Sequence, residues 1–65
     1  MKHIKRICKK HIGRPFDYRG TQGIINGRIT EVRNQVATFT YNVENKPETY
    51  TGRCSVFDRN IIEIY

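Results

Sequence analysis

Residues 36–43, with the sequence Val-Ala-Thr-Phe-Thr-Tyr-Asn-Val, alternate apolar and polar side chains more clearly than any other stretch of this 65-residue chain. Successive side chains of a β-strand point to opposite faces of the sheet. The residues on one face of this stretch would be Ala37, Phe39, Tyr41 and Val43, and those on the other would be Thr38, Thr40 and Asn42. The stretch therefore predicts a half-buried β-strand.

The rest of the composition favours the same secondary structure. The chain has no Leu, whereas nine Ile, four Val and six Thr supply β-branched side chains that fit a pleated sheet better than a helix. Further strands are predicted near residues 14–19, 24–32, 48–54 and 61–65. Five short strands separated by tight turns would close into a barrel, since closure removes exposed strand edges. We expect a small five-stranded SH3-like barrel over residues 14–65; an Sm-like barrel is the nearest competitor, and an OB-fold needs longer strands.

Residues 2–12 have the pattern of an amphipathic α-helix. At 100° per residue the apolar side chains and His11 share one arc, and five basic side chains occupy the opposite arc. Gly13 and Pro15 then provide stop signals. The whole chain, residues 1–65, is therefore expected to be a single mostly-β domain in which a basic N-terminal helix precedes the barrel.

Apolar side chains of the helix and barrel define the predicted core. We expect Ile4, Ile7 and Ile12 to pack on the barrel, whose own core includes Ile29, Phe39, Val56 and Ile62. A short turn over residues 55–60 is expected to bury Val56 and Phe57, and Gly27 is expected to mark a bend or bulge in its strand.

The formal net charge of +6 is confined to the first twenty residues, which contain seven Lys or Arg and a single Asp. From residue 21 onward five cations are balanced by five carboxylates. A localised field of one sign attracts a polyanion or an acidic protein surface, although a solvated basic face can also serve solubility alone.

Enzymatic chemistry has little basis in this sequence. Cys8, His11, His3 and Cys54 are possible metal ligands, but no Cys-x-x-Cys pair is present, and we interpret both cysteines as small core residues. No catalytic constellation or phosphate-binding loop is found, so no catalytic residue, metal or cofactor is predicted. No apolar run is long enough to span a membrane and no signal peptide is visible, so a soluble cytoplasmic protein is expected.

Several segments resemble the Veg family of short proteins from Gram-positive bacteria. These segments are residues 4–6, 12–14, 27–32, 36–37, 39, 50 and 62–64. The resemblance implies an SH3-like barrel behind a basic helix. It also implies a role in regulating gene expression, because the family is associated with stimulating biofilm matrix genes.

Two functional hypotheses follow from the charge. The first is a nucleic-acid-binding module in which cations neutralise phosphates and exposed rings stack on bases. Its predicted site consists of Lys2, Lys5, Arg6, Lys9, Lys10, Arg14, Tyr18, Arg19 and Arg28. The alternative is a protein-interaction module, such as a phage or mobile-element inhibitor, that docks on an acidic or nucleic-acid-binding surface of a host nuclease or regulator. Either module could form a homodimer through an exposed strand, and the sequence does not decide between DNA and RNA.

Overall fold

The protein folds as one antiparallel sheet of five strands. The computed structural model describes residues 6–65. The strands are β1 (Pro15–Gly20), β2 (Gly23–Arg33), β3 (Val36–Asn42), β4 (Thr49–Ser55) and β5 (Ile61–Ile64). They lie in the order β4-β3-β2-β1-β5, so β1 to β4 form a meander and β5 returns to pair with β1. The predicted mostly-β fold with five short strands is confirmed.

The hairpin between β2 and β3 has a two-residue turn. Asn34 and Gln35 have φ angles of 51° and 65°, which are left-handed conformations that Asn tolerates better than Gln. Positive φ at both central residues gives a twist that matches the twist of the flanking strands. This turn projects from the end of the sheet where β4 also ends, because Val36 pairs with Ser55.

The sheet is not a closed barrel, which corrects the expectation of full closure. The strands β4 and β5 are the two edges and do not pair with each other. Cys54 of β4 and Ile61 of β5 nevertheless belong to the same buried cluster, so the sheet curls around one core. The Ile7 amide donates to the carbonyl oxygen of Val56 at 3.1 Å. The N-terminal segment, rather than β5, therefore lies beside the chain where β4 ends.

The predicted helix over residues 2–12 is wrong wherever the structure describes it. Cys8 is extended, with φ of −121° and ψ of 169°, and only Lys9–His11 form a single 3₁₀ turn. A helix of three turns is only marginally stable in water, and β-branched Ile side chains do not favour helix. The extended conformation, in which the Ile7 amide binds the Val56 carbonyl just after β4, is therefore formed instead of the helix. Residues 2–5 of the predicted helix lie outside the described residues. Within residues 6–65 no helix has the length and apolar character needed to cross a bilayer.

Most of the predicted core is confirmed. The buried residues include Ile7, Ile29, Phe39 and Val56. Two predicted members are wrong: Ile12 is 46% exposed, and Ile62 is only half-buried because Ile61 takes the core position in β5. Ile4 lies outside the described residues. The register of the β1–β5 pairing shifts between Asp17 and Tyr18, so that Asp17 pairs with Glu63 but Tyr18 pairs with Ile61. Ile62 is the extra residue at this shift, which explains why Ile61 and not Ile62 is buried.

The centre of the core is an aromatic pair packed against glycine. Phe16 and Phe39 meet edge to face, with ring centroids 5.0 Å apart and planes at 81°. A Cβ on Gly52 would lie 2.7 Å from the Phe39 ring, and one on Gly27 would lie 2.8 Å from the Phe16 ring. Gly27 therefore makes room for rings and is not at a bulge; the register shift in β2 falls between Ile29 and Glu31.

The two isoleucines on either side of the 3₁₀ turn should lose very different amounts of stability on the same substitution. Ile7→Asp would bury an unpaired carboxylate where the wild-type side chain is 1% exposed, and we expect a loss of about 3–5 kcal/mol in the free energy of unfolding. Ile12→Asp, at an exposed position, should cost about 0.5 kcal/mol or less. Urea denaturation measures both, and equal losses would contradict the assigned packing.

The contact between Gly52 and Phe39 can be tested with a double-mutant cycle. Gly52→Ala forces the ring to move and should cost about 1–3 kcal/mol, the usual cost of overpacking a core. Phe39→Leu removes the clash, so it should destabilise the Gly52→Ala variant less than it destabilises the parent. Additive losses within about 0.3 kcal/mol would show that the two residues are not coupled.

Candidate functional site

An open groove with a cationic rim lies at the end of the sheet where β4 stops. It has a volume of about 350 Å³. Buried or half-buried apolar side chains of Ile7, Val32 and Val56 line it together with exposed polar residues. The remaining lining residues are Arg6, Cys8, Lys9, Arg33, Asn34 and Gln35. No carboxylate is among these lining residues, so the groove presents positive charge and amide groups over an apolar base.

Main-chain hydrogen bonds at Val56 hold the walls of the groove together. Its amide donates to the carbonyl oxygen of Gln35 at 3.0 Å, and its own carbonyl oxygen accepts the Ile7 amide at 3.1 Å. The Val56 side chain is also buried in the core. One residue thus joins the N-terminal segment, the β2–β3 turn and the end of β4, which fixes the relative positions of the groove's cations.

Phe57 and Arg6 form an exposed pair next to the groove. The Arg6 guanidinium carbon lies 4.8 Å from the centroid of the Phe57 ring, a cation–π distance. Phe57 is 50% exposed, so the prediction that this turn buries it is wrong. Val56 and Phe57 are the central residues of a turn closed by the hydrogen bond from the Asp58 amide to the carbonyl oxygen of Ser55 at 3.0 Å, and of the two only Val56 is buried in the core.

The groove's cations are largely uncompensated. Among residues 6–65 a single ion pair is formed, between Arg33 and Glu31 at 4.0 Å, and both side chains are exposed. Burial and, secondarily, the charges of Lys10 and Arg14 lower the pKa of His11 below its ordinary value of 6.5. The neutral ring accepts the Cys8 amide on Nδ1 at 2.9 Å and so closes the 3₁₀ turn that carries Lys9 and Lys10.

The structure divides the predicted cationic residues into two groups. Arg6 and Lys9 line the groove and Lys10 is exposed beside it, whereas Lys2 and Lys5 lie outside the described residues. The other group lies elsewhere and consists of Arg14, Arg19 and Arg28.

Arg14 and Arg28 donate side-chain hydrogen bonds to main-chain oxygens. The Arg14 guanidinium donates to the main-chain oxygen of Tyr65, with Nε at 3.1 Å and Nη2 also in contact. Arg28 donates from Nη1 to the carbonyl oxygen of Gly13 at 2.6 Å. Arg19 is exposed near the β1–β2 turn, where it pairs with Ile24. None of the three is among the residues that line the groove.

Tyr18 lies in the core margin rather than on the groove. Its ring centroid is 5.6 Å from that of Phe39, and its hydroxyl donates to Oδ2 of Asp58 at 2.9 Å. Burial and the hydrogen bond to Asp58 raise the pKa of Tyr18 above 10.0. The carboxylate also accepts the Asn60 amide at 2.9 Å, so Tyr18 helps to fix the turn before β5.

A second cleft, of about 380 Å³, lies at the opposite end of β3. The β1–β2 turn and the end of β3 form its walls, which include Ile24, Tyr41, Val43 and Glu44. Tyr41 stacks on Tyr50 beside it, with centroids 5.7 Å apart. This cleft has a carboxylate and no cation in its lining, so it does not suit a polyanion.

Sequence reasoning missed Phe57, Arg33 and the β2–β3 turn as parts of the site. Arg33 belongs to the half of the chain that is neutral overall, and a count of charges along the sequence cannot show that β2 ends beside Lys9. No local signal marked Phe57 as exposed, because Val56 and Phe57 are both apolar neighbours in the same short turn. No cluster of three or more potential metal ligands occurs among residues 6–65.

The two cysteines are free and differ in environment. Cys54 is buried, and burial together with nearby Asp58 raises the pKa of its thiol to about 11. Cys8 is half-buried and lines the groove, so the prediction that both cysteines are core residues is confirmed only for Cys54.

This difference should be visible in thiol labelling. At pH 8 only about one Cys54 thiol in a thousand is ionised, so a soluble alkylating reagent should modify Cys8 first. Cys54 should react only after denaturant is added. Peptide mapping by mass spectrometry follows both sites, and Cys8→Ser should abolish the fast reaction. Equal rates in the folded protein would contradict the assigned burial.

Comparison with known proteins does not assign a function to the groove. Comparison of the chain with protein-family models, with curated proteins and with solved structures gave no match. Any functional conclusion therefore rests on the groove, its cations and the exposed ring.

Proposed function

We propose that this protein is a small non-enzymatic module that binds nucleic acid through the basic groove and acts in regulating gene expression. The observation that carries the proposal is the set of uncompensated cations, Arg6, Lys9 and Lys10, on and beside a groove without a lining carboxylate. Cations of this kind neutralise phosphates and release condensed counterions, which supplies most of the affinity in sequence-independent binding.

The groove offers few means of reading a base sequence. Its uncharged polar side chains, Asn34 and Gln35, can donate to phosphate oxygens or to bases, but the helical structure among residues 6–65 is a single 3₁₀ turn, too short to read bases in a duplex groove. Contacts of this type position a nucleic acid without specifying its sequence. Binding should therefore be weak, dependent on salt and tolerant of sequence.

We also propose that the open sheet is a variant of the SH3-like arrangement. A four-stranded meander whose fifth strand returns to β1 supports this, although the gap between β4 and β5 departs from a closed barrel. We likewise propose that the protein belongs to the Veg family and is located in the cytoplasm. Homodimerisation through an unpaired strand edge also stays a prediction.

A protein partner is the second candidate. Ile24 is 66% exposed and lies with Val43 at the second cleft, and exposed apolar side chains of this kind are common in protein interfaces. The partner would present an acidic surface to the groove, as a host nuclease or regulator inhibited by a small phage protein could. Charge reversal in the groove would weaken this complex too, so only direct binding to purified nucleic acid separates the two candidates.

Two matched charge reversals test the proposal. Lys9→Glu should weaken binding to DNA or RNA about tenfold and reduce the slope of log affinity against log salt by about one. Lys46→Glu makes the same charge change in the exposed β3–β4 turn, at the other end of β3, and should change affinity less than about twofold. Fluorescence polarisation between about 50 and 200 mM salt measures both.

The slope for the parent should be at least as steep as about −2 to −3, because neutralisation of three phosphates by Arg6, Lys9 and Lys10 would contribute that much. Melting temperatures of both variants should match that of the parent, since each side chain is exposed. If the parent binds no nucleic acid near 50 mM salt, or if both reversals have equal effects, the proposal fails and the protein-partner candidate replaces it.

A further inference from the structure

Phe57 is an exposed aromatic side chain that belongs neither to the buried core cluster nor to the apolar side chains packed against it. The turn that carries it is already anchored by its neighbour Val56 in the core and by the Asp58 carboxylate, which binds Tyr18 and the Asn60 amide. Its own amide donates to Ser55 Oγ at 3.1 Å. Half of the side chain nevertheless stays in contact with water.

Arg6 connects this ring to the cationic groove. Its guanidinium lies over the Phe57 ring at 4.8 Å, and the same side chain lines the groove together with Lys9. Aromatic rings and guanidinium planes are the two surfaces on which proteins stack unpaired bases. The two surfaces are combined here, within reach of cations that can hold the adjoining phosphates.

The exposed or half-buried tyrosines among residues 6–65 make other contacts. Tyr18 is held by Asp58 against the core, and Tyr41 and Tyr50 stack on each other beside the second cleft. Tyr65 is exposed, but its hydroxyl donates to Oδ2 of Asp17 at 2.6 Å, and Tyr65 does not line the groove. Phe57 is thus the exposed ring that adjoins the groove cations.

We propose that the Phe57–Arg6 pair is a stacking platform for one base of a single-stranded nucleic acid whose backbone follows the groove. The inference rests on the proposed function and narrows it from nucleic acid in general to single strands. A base in a duplex has both faces covered by its neighbours, whereas an unpaired base can place a face on this platform. Duplex DNA would bind through its phosphates alone, without using the ring.

A single tryptophan reports directly on the platform, because the natural chain contains none. F57W keeps a stacking ring, and its fluorescence should be quenched when an oligodeoxythymidylate of about ten nucleotides is added. I24W places the same fluorophore at an exposed position in the β1–β2 hairpin, and its emission should not change. Quenching absent from F57W while polarisation shows the oligonucleotide bound would overturn the inference.

Two truncations separate stacking from simple apolar contact. Phe57→Ala should lower affinity for the single strand roughly 5- to 150-fold, the range found when an aromatic partner of a base is removed, and should change affinity for the duplex less than about twofold. Phe57→Leu keeps apolar area but no ring, so it should lose nearly as much single-strand affinity as Phe57→Ala. Full affinity in Phe57→Leu would indicate an apolar contact and contradict stacking.

Failure of this inference can be told from failure of the proposed function. If Lys9→Glu weakens binding while F57W is not quenched and Phe57→Ala binds like the parent, the groove binds phosphates and only the platform is wrong. If the parent binds neither strand form near 50 mM salt, both proposals fall together.

Discussion

The contact on which the rest of the structure depends is that of the Phe39 ring with Gly52 and Phe16. The ring fills the centre of the curled sheet. Gly52 and Gly27 have no Cβ and so leave room for the rings of Phe39 and Phe16. Aromatic side chains of this size supply much of the buried apolar area in so small a chain. Gly52 of β4 pairs with Phe39, and Gly27 of β2 pairs with Phe16 of β1, so each ring lies opposite a glycine of the adjacent strand and the positions of the glycines are tied to the strand register.

The groove follows from that core through Val56. Its side chain completes the cluster around Phe39, while its amide and carbonyl groups bind Gln35 and Ile7. Val56, a residue of the core cluster, therefore sets the distance between the N-terminal segment that carries Arg6 and Lys9 and the β2–β3 turn. Val56 is buried whereas its neighbour Phe57 is half exposed, so the ring adjoins the groove without belonging to the core.

The sequence was sufficient to predict the strands, since period-two alternation is a local signal that tertiary structure rarely overrides. It was not sufficient for residues 6–12, because the same spacing of Ile7 and Ile12 fits a helix or an extended segment with a turn. A hydrogen bond from Ile7 to a residue near the other end of the chain decided between them. Arg14, Arg28 and Tyr18 were predicted to bind nucleic acid or a partner, and the sequence did not show that they contact Tyr65, Gly13 and Asp58, because a charge count carries no information about such contacts.

The return of β5 to β1, and of Ile7 to Val56, has a consequence for the order of folding. The hairpins of the meander close short loops, whereas Arg14 and Tyr65 meet across 51 residues of chain. The entropy of loop closure makes such distant pairings slow to form, so the meander can assemble before the two chain ends meet. The groove uses residues from both ends of the chain and exists only after that final step. A nascent or partly unfolded chain has the cations but not their arrangement, and the binding surface is thus coupled to completion of the fold.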